Sequence, residues 1–187
     1  MIVDPFFYAV AIPAVLLMGV SKGGFGSGLG IMATPLVALA VPAPQAAAIL
    51  LPILLVMDAT GLAAYRGTFH RANLGLLLAG GIAGIALGAL VFRFVSEPML
   101  RVALGAMAIA FVAHRLRQGG ADAPAIVPSK GKGLFWSTLS GLTSTIAHAG
   151  GPPLSVYLLP QKLDKAVLVG TTVIFFAVIN AVKLVPY

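Results

Sequence analysis

The chain has no cysteine among its 187 residues and very little charge. Without cysteine there is no disulfide framework, no thiolate nucleophile and no cysteine-ligated metal. Charged residues make up 9% of the chain against 59% hydrophobic, a balance that excludes a soluble globule. Carboxylates are scarcer still: Asp4, Glu97, Asp122 and Asp164 fall at segment ends or loops, and only Asp58 lies well inside a long apolar run. Lys and Arg are missing from MIVDPFFYAV at the start, which is unlike the n-region of a cleaved signal peptide. The net charge of +7 would suggest nucleic acid in a soluble protein. Here the basic residues sit mostly at span ends, where cytoplasmic retention and anionic lipid account for them, so nucleic acid is not an expected partner.

What the chain does have is a glycine-rich stretch, Gly19 to Pro35, reading GVSKGGFGSGLGIMATP. Two apolar runs meet there, Phe6 to Val20 and Leu29 to Val41. Each is shorter than the roughly 20 residues a spanning helix needs. Glycine weakens a helix and lets backbone approach other groups. Non-helical backbone survives at membrane depth only where protein buries it or it lines a watery cavity. A polar break between two half-length helices is how many carriers build a mid-membrane substrate site. The alternative is a glycine kink that only packs helices.

Farther on, Pro42-Ala43-Pro44 is a turn, and Ala46 to Tyr65 is a full apolar span interrupted only by Pro52 and Asp58. A basic turn with Arg66, His70 and Arg71 follows, then a second full span, Leu74 to Phe92. In it Gly80, Gly84 and Gly88 recur every four residues, the small-xxx-small pattern of close helix packing. Arg93 to Pro98 is a tight turn with Ser96 as N-cap, and Met99 to Ala113 is a shorter helix. His114 to Lys132 is the one long polar segment and reads as a cytoplasmic linker.

After the linker the pattern begins again. Gly133 to Ala147 is apolar but rich in hydroxyls, His148 to Pro153 is a second break, Leu154 to Leu159 is a short apolar run, and Ala166 to Val185 is a full span. A shift of 118 residues lays Gly23 on Gly141, Pro35 on Pro153 and Pro42 on Pro160; a shift of 122 lays Asp58 on Asn180 and Tyr65 on Tyr187. Ordered matches of this kind indicate an internal repeat, the usual construction of secondary carriers. The expected fold is therefore all-α: a polytopic membrane helix bundle of two related repeats with broken or re-entrant helices. Its parts are a first repeat over 1–113, a linker over 114–132 and a second repeat over 133–187. Segments after Tyr65 have no counterpart after Tyr187, so the second repeat reads as incomplete, either a fragment or one whose C-terminal part is supplied otherwise. Thirteen apolar residues rise only about 20 Å against a core of about 30 Å, so each broken segment is read as one passage, with parallel halves and a cytoplasmic N-terminus. Charge counting favours the opposite, inverted arrangement.

The break GVSKGGFGSGLG with Pro35 after it carries a resemblance, together with Pro44 before Ala46-Ala47-Ala48, Gly150-Gly151-Pro152-Pro153, Gly170-Thr171-Thr172 and Asn180. The sequence resembles the sulfite exporter TauE/SafE family over nearly its whole length. The resemblance implies a bacterial inner-membrane, multi-pass transporter in two related halves, carrying sulfite, a sulfonate or another small sulfur-containing anion. The chain departs from the family in lacking its last helices and in placing Lys22 where many members carry uncharged residues.

The candidate substrate site follows from the two breaks. In the first, Ser21, Lys22, Gly23, Gly24, Gly26, Ser27 and Gly28 offer one cation, two hydroxyls and open backbone to an anion, and the following helix start adds its dipole. Lys22 as an interfacial lysine reaching water is the competing reading. In the second half His148, Gly150 and Gly151 occupy the break, with Thr145, Thr171 and Asn180 as neutral donors; Thr143, Ser144 and Thr172 are further hydroxyls. Many such hydroxyls only bond their own helix backbone. Asp58 is the candidate for proton coupling, an intramembrane carboxylate being costly and therefore suspect; a structural ion pair with Lys22 is its alternative role. Lys183 is either a second cation for substrate or a lysine at the membrane surface. With one histidine in the break, no cysteine and no nearby carboxylate, neither a metal nor another cofactor is expected.

The expected partners are a small anion and the lipid bilayer, with a homo-oligomer allowed. Competing readings are an intramembrane enzyme using Ser144 and His148, for which no orienting acid is visible, and a non-transporting membrane subunit, which leaves two matched polar breaks unexplained.

Overall fold

A computed structural model of the chain describes residues 4–25, 29–92 and 125–185, with scattered positions between 94 and 113. Gly26, Ser27 and Gly28, about half of the Arg93 to Pro98 turn and of the Met99 to Ala113 helix, and the linker up to residue 124 lie outside the described residues. Among the described residues there are seven α-helices and no strand. They are α1 (Pro5–Val20), α2 (Ala33–Val37), α3 (Ala43–Ala64), α4 (Arg71–Phe92), α5 (Lys130–Ala147), α6 (Gly151–Leu158) and α7 (Lys165–Val182). Among the described residues, four helices are long and apolar enough to cross a membrane: Pro5–Gly23, Ala43–Ala64, Arg71–Val91 and Lys165–Val182.

Helix starts follow local chemistry. The Asp4 carboxylate accepts from the Phe6 N–H at 2.9 Å, and Pro5 fills a position where an N–H has no partner. Asp164 caps α7 in the same way, accepting from Ala166 N at 2.9 Å. The first helix does not stop at Val20. Ser21–Phe25 continue as a π-helical turn, and Leu29–Met32 form a 3-10 turn before α2. In an apolar setting the glycine-weakened backbone still has to bond internally, so the helix changes hydrogen-bond period rather than ending. That extension gives the first segment 19 residues, long and apolar enough to cross alone, which removes the length argument for joining it to α2 in one passage.

The second break is shorter than expected and reverses the chain. His148 leaves α5 with a left-handed φ of 54°, and its N–H bonds back to Ser144 O at 3.0 Å. Gly151, Pro152 and Pro153 already form the first turn of α6. α6 then runs back along α5: Gly150 lies against Ser140, Gly133 lies against Tyr157, and Ile126 N donates to Pro160 O at 2.9 Å. The pair is a hairpin, so reading it as a single continuous passage is corrected. The start of α5 at Lys130 also takes Lys130 and Lys132 out of the linker and into the helix.

The glycine ladder sits where α4 meets α5. A Cβ on Gly84 would strike the backbone of Thr138 and Leu142; Gly80 faces Leu134 O and Gly88 faces Thr145. One residue round the helix, Gly81 makes room for Phe175 and Ile179 of α7. Two of the apolar cores among the described residues hold most of the helices together. One joins α1, α2 and α3 through Met18, Val37, Leu50 and Leu54; the other joins α4, α6 and α7 through Leu77, Leu158, Phe175 and Ile179.

Candidate functional site

The two breaks touch. Thr34, in the first turn of α2, donates its hydroxyl to Ala147 O at 2.7 Å, and Ile31 packs with Ala147 and Ala149. Both breaks face one cavity of about 400 Å³. Ser21, Lys22 and Gly30 line it from the first break, and His148, Gly151 and Pro152 from the second. Asp58 of α3 and Asn180 of α7 complete its polar end.

Asp58 is held from two sides. Lys22 Nζ is ion-paired with its Oδ1, and Asn180 Nδ2 donates to its Oδ2 at 2.6 Å. The Lys22 side chain keeps 23% of its surface exposed and that of Asp58 only 4%. The carboxylate therefore has both oxygens engaged, and Lys22 is the member of the pair that reaches open space. Lys22 is in this arrangement an ion-pair partner at the cavity wall, the alternative weighed for Asp58 above.

Lys183 is fully buried, at 0% exposure, which excludes its reading as a surface lysine. Its Nζ donates to Ser144 O and Ser144 Oγ at 3.1 Å each, and to His148 Nδ1 at 2.8 Å. His148 Nε2 lies 2.8 Å from Ala47 O. A carbonyl only accepts, so Nε2 carries the hydrogen and Nδ1 offers the lone pair that Lys183 takes. Both ring nitrogens are thereby committed, and this anchors a non-glycine residue in the left-handed region. Lys183 also stands between Ser144 and His148. The imidazole lone pair points at an ammonium group and not at the serine hydroxyl, so the pair lacks the nucleophile–base contact that acyl-transfer chemistry requires.

The other expected residues divide by position. Thr145 is buried on α5 with its hydroxyl donating to Gly141 O at 2.9 Å, against Gly88 and away from the cavity. Thr171 donates to Val167 O at 2.6 Å and accepts from His70 N at 2.9 Å, so it ties the loop before α4 to α7. Gly150 is packed between Ser140 and Phe176, and its carbonyl accepts from Ser140 Oγ at 2.7 Å. Gly23 is exposed, with nothing within 4 Å of where a Cβ would sit, and the chain continues through Gly24 in the π-helical turn. Pro152 and Pro153 have no N–H and so bring no backbone donor to the second break. Thr172 and Ser144 line the cavity, as does Ser155 of α6, which sequence reasoning passed over. Ser155 falls one turn after Gly151 on the same helix face, a spacing that would have pointed to it once α6 was known to start at Gly151.

The arrangement can hold an anion. The polar end presents the part-exposed Lys22 ammonium, with Asn180 and Ser144 lining the same space; Ser155 lines it too, but its hydroxyl is already donated to Gly151 O at 2.9 Å. Residues 11–187 match the family model described as sulfite exporter TauE/SafE. No curated protein and no solved structure matches the chain.

Proposed function

The chain belongs to the sulfite exporter TauE/SafE family, and on that premise we propose that it is a multi-pass carrier of a small sulfur-containing anion in a bacterial inner membrane. The observation that carries this reading is the single cavity faced by both polar breaks, with the Lys22–Asp58 ion pair in its wall. An anion drawn to Lys22 competes with Asp58 for the ammonium. Asp58, left beside a second negative charge, is then relieved by a proton, and this links anion movement to proton movement. Asn180 stays within reach of either protonation state, since its amide both donates and accepts.

The proposed architecture is two related repeats, 1–113 and a second that starts with α5 at Lys130, joined by the linker 114–129. In each, a long helix and a short return helix form a re-entrant hairpin, α1 with α2 and α5 with α6. Supporting it, α2 and α6 begin 118 residues apart, at Ala33 and Gly151, and α3 and α7 begin 122 apart, at Ala43 and Lys165. The equivalent residues Asp58 and Asn180 also bond directly, as residues beside a pseudo-twofold axis would. Transport rather than catalysis is supported by Lys183 occupying the space between Ser144 and His148.

The test is flux. Purified chain in proteoliposomes should exchange labelled sulfite or a short sulfonate across the membrane, and an inward-acid gradient should drive its accumulation. Asp58→Asn should keep exchange and lose the gradient-driven accumulation. Folded protein that moves no sulfur-containing anion would overturn the carrier reading; full pH dependence in a folded Asp58→Asn variant would overturn the coupling role.

A further inference from the structure

The cavity is longer and more apolar than an inorganic oxyanion needs. A volume of about 400 Å³ lies in the range, roughly 300–1,000 Å³, of pockets that enclose drug-sized organic ligands. Its lining changes character along α7. Asn180 marks the polar end, beside Asp58 and Lys22. Toward the N-terminus of the same helix the lining residues are Phe176, Val173, Val169 and Leu168, with only Thr172 polar among them, and the Thr172 hydroxyl is spent on Leu168 O at 2.8 Å. From Asn180 to Leu168 is twelve residues of α7, a length of about 18 Å. α6 repeats the gradient: Gly151 and Ser155 face the polar end, and Leu158 and Leu159 face the far end. The turn at residues 159–164 joins α6 to α7 beyond these residues, so the apolar arm lies between two covalently linked helices.

Charge is confined to the other end. Lys22 and Asp58 line the cavity there, and the buried Lys183 lies behind the wall formed by Ser144 and His148. Lys22, the lysine in the cavity lining, suits a ligand with a single negative head group. We infer that the ligand is an amphiphilic organic monoanion, an alkyl or aryl sulfonate, whose head meets Lys22 and Asn180 and whose apolar tail lies in the arm between α6 and α7. The inference rests on the anion-carrier reading and narrows it. Inorganic sulfite, by contrast, would leave the arm filled with water against leucine, valine and phenylalanine side chains.

The experiment is a chain-length series on the wild-type protein in proteoliposomes. Straight-chain sulfonates from methanesulfonate to octanesulfonate compete against exchange of labelled sulfite, with the neutral alkanols of the same lengths in parallel. Each methylene buried in the arm is worth about 0.8 kcal/mol, so the inhibition constant should fall about fourfold per carbon until the arm is full and then level off. Val169→Trp should move that plateau to a shorter chain. An inhibition constant independent of chain length overturns the inference while leaving sulfite exchange, and with it the carrier reading, intact. Equal potency of the alkanols also overturns it, since the gain then comes from partition into lipid. Absence of exchange in folded wild-type protein overturns both readings together.

Discussion

Asp58 and Lys22 depend on each other. Removing one partner of a buried ion pair leaves the other charge uncompensated, whereas replacing both with apolar residues is often neutral. Asp58→Leu alone should therefore destabilise the protein on the order of 3 kcal/mol, toward the low end for such pairs because Lys22 is partly exposed. The double variant Lys22→Met/Asp58→Leu should return to within about 1 kcal/mol of the parent stability. Thermal unfolding in detergent across the four members of the cycle checks this. Strictly additive losses would show that the two groups do not interact energetically. Asn180 belongs to the same unit, because its amide donates to the second carboxylate oxygen. At this scale sequence reasoning went only part of the way. Asp58 was visible as the lone carboxylate inside a span, and its ion pair with Lys22 was one of two roles considered. The burial of Lys183 was not visible, because its partners Ser144 and His148 lie 39 and 35 residues away.

Between helices the controlling contact is that of α4 with α5, where backbone meets backbone at glycine. Gly84→Ala places a methyl group against the backbone of Thr138 and Leu142, neither of which can rotate aside. The cost should be about 1–3 kcal/mol or more, as for an overpacked core. Gly75→Ala lies on the same helix with nothing within 4 Å and should be neutral or slightly stabilising. Melting of the two variants, followed as loss of monodisperse protein on heating, should separate them clearly. Equal behaviour would mean that helix propensity rather than packing sets the response. The four-residue spacing of Gly80, Gly84 and Gly88 showed that α4 has a packing face. It did not say that the partner is α5, nor that the neighbouring Gly81 admits Phe175 and Ile179 from α7.

Over the whole molecule, one cavity unites residues that are far apart in sequence, and the absence of cysteine makes it straightforward to map. Single cysteines at Ser155 and Thr172 should react with a small water-soluble maleimide or methanethiosulfonate and be protected by a bound sulfonate. A cysteine at Thr145, buried against Gly88, should react slowly with or without the anion. Protection at all three sites, or at none, would argue against a shared binding cavity of the shape described. The pattern of reactivity is a property of the assembled bundle. Thr145 and Thr172 are both threonines in apolar helices and differ only in which neighbour each face meets.

The sequence by itself determined the class of molecule: a charge-poor, cysteine-free chain whose long apolar runs must become helices that satisfy their own backbone. It also placed both polar breaks, since glycine and proline act locally through propensity and missing N–H groups. Only the tertiary structure decided what the breaks do. The first continues as a π-helical turn, and the second folds α6 back on α5, because the glycines and small residues on those surfaces let the chains approach. Which hydroxyl-bearing residues line the cavity was likewise settled by packing. So was the union of Lys22, Asp58 and Asn180, because contacts at sequence separations of up to 122 have no local signature along the chain.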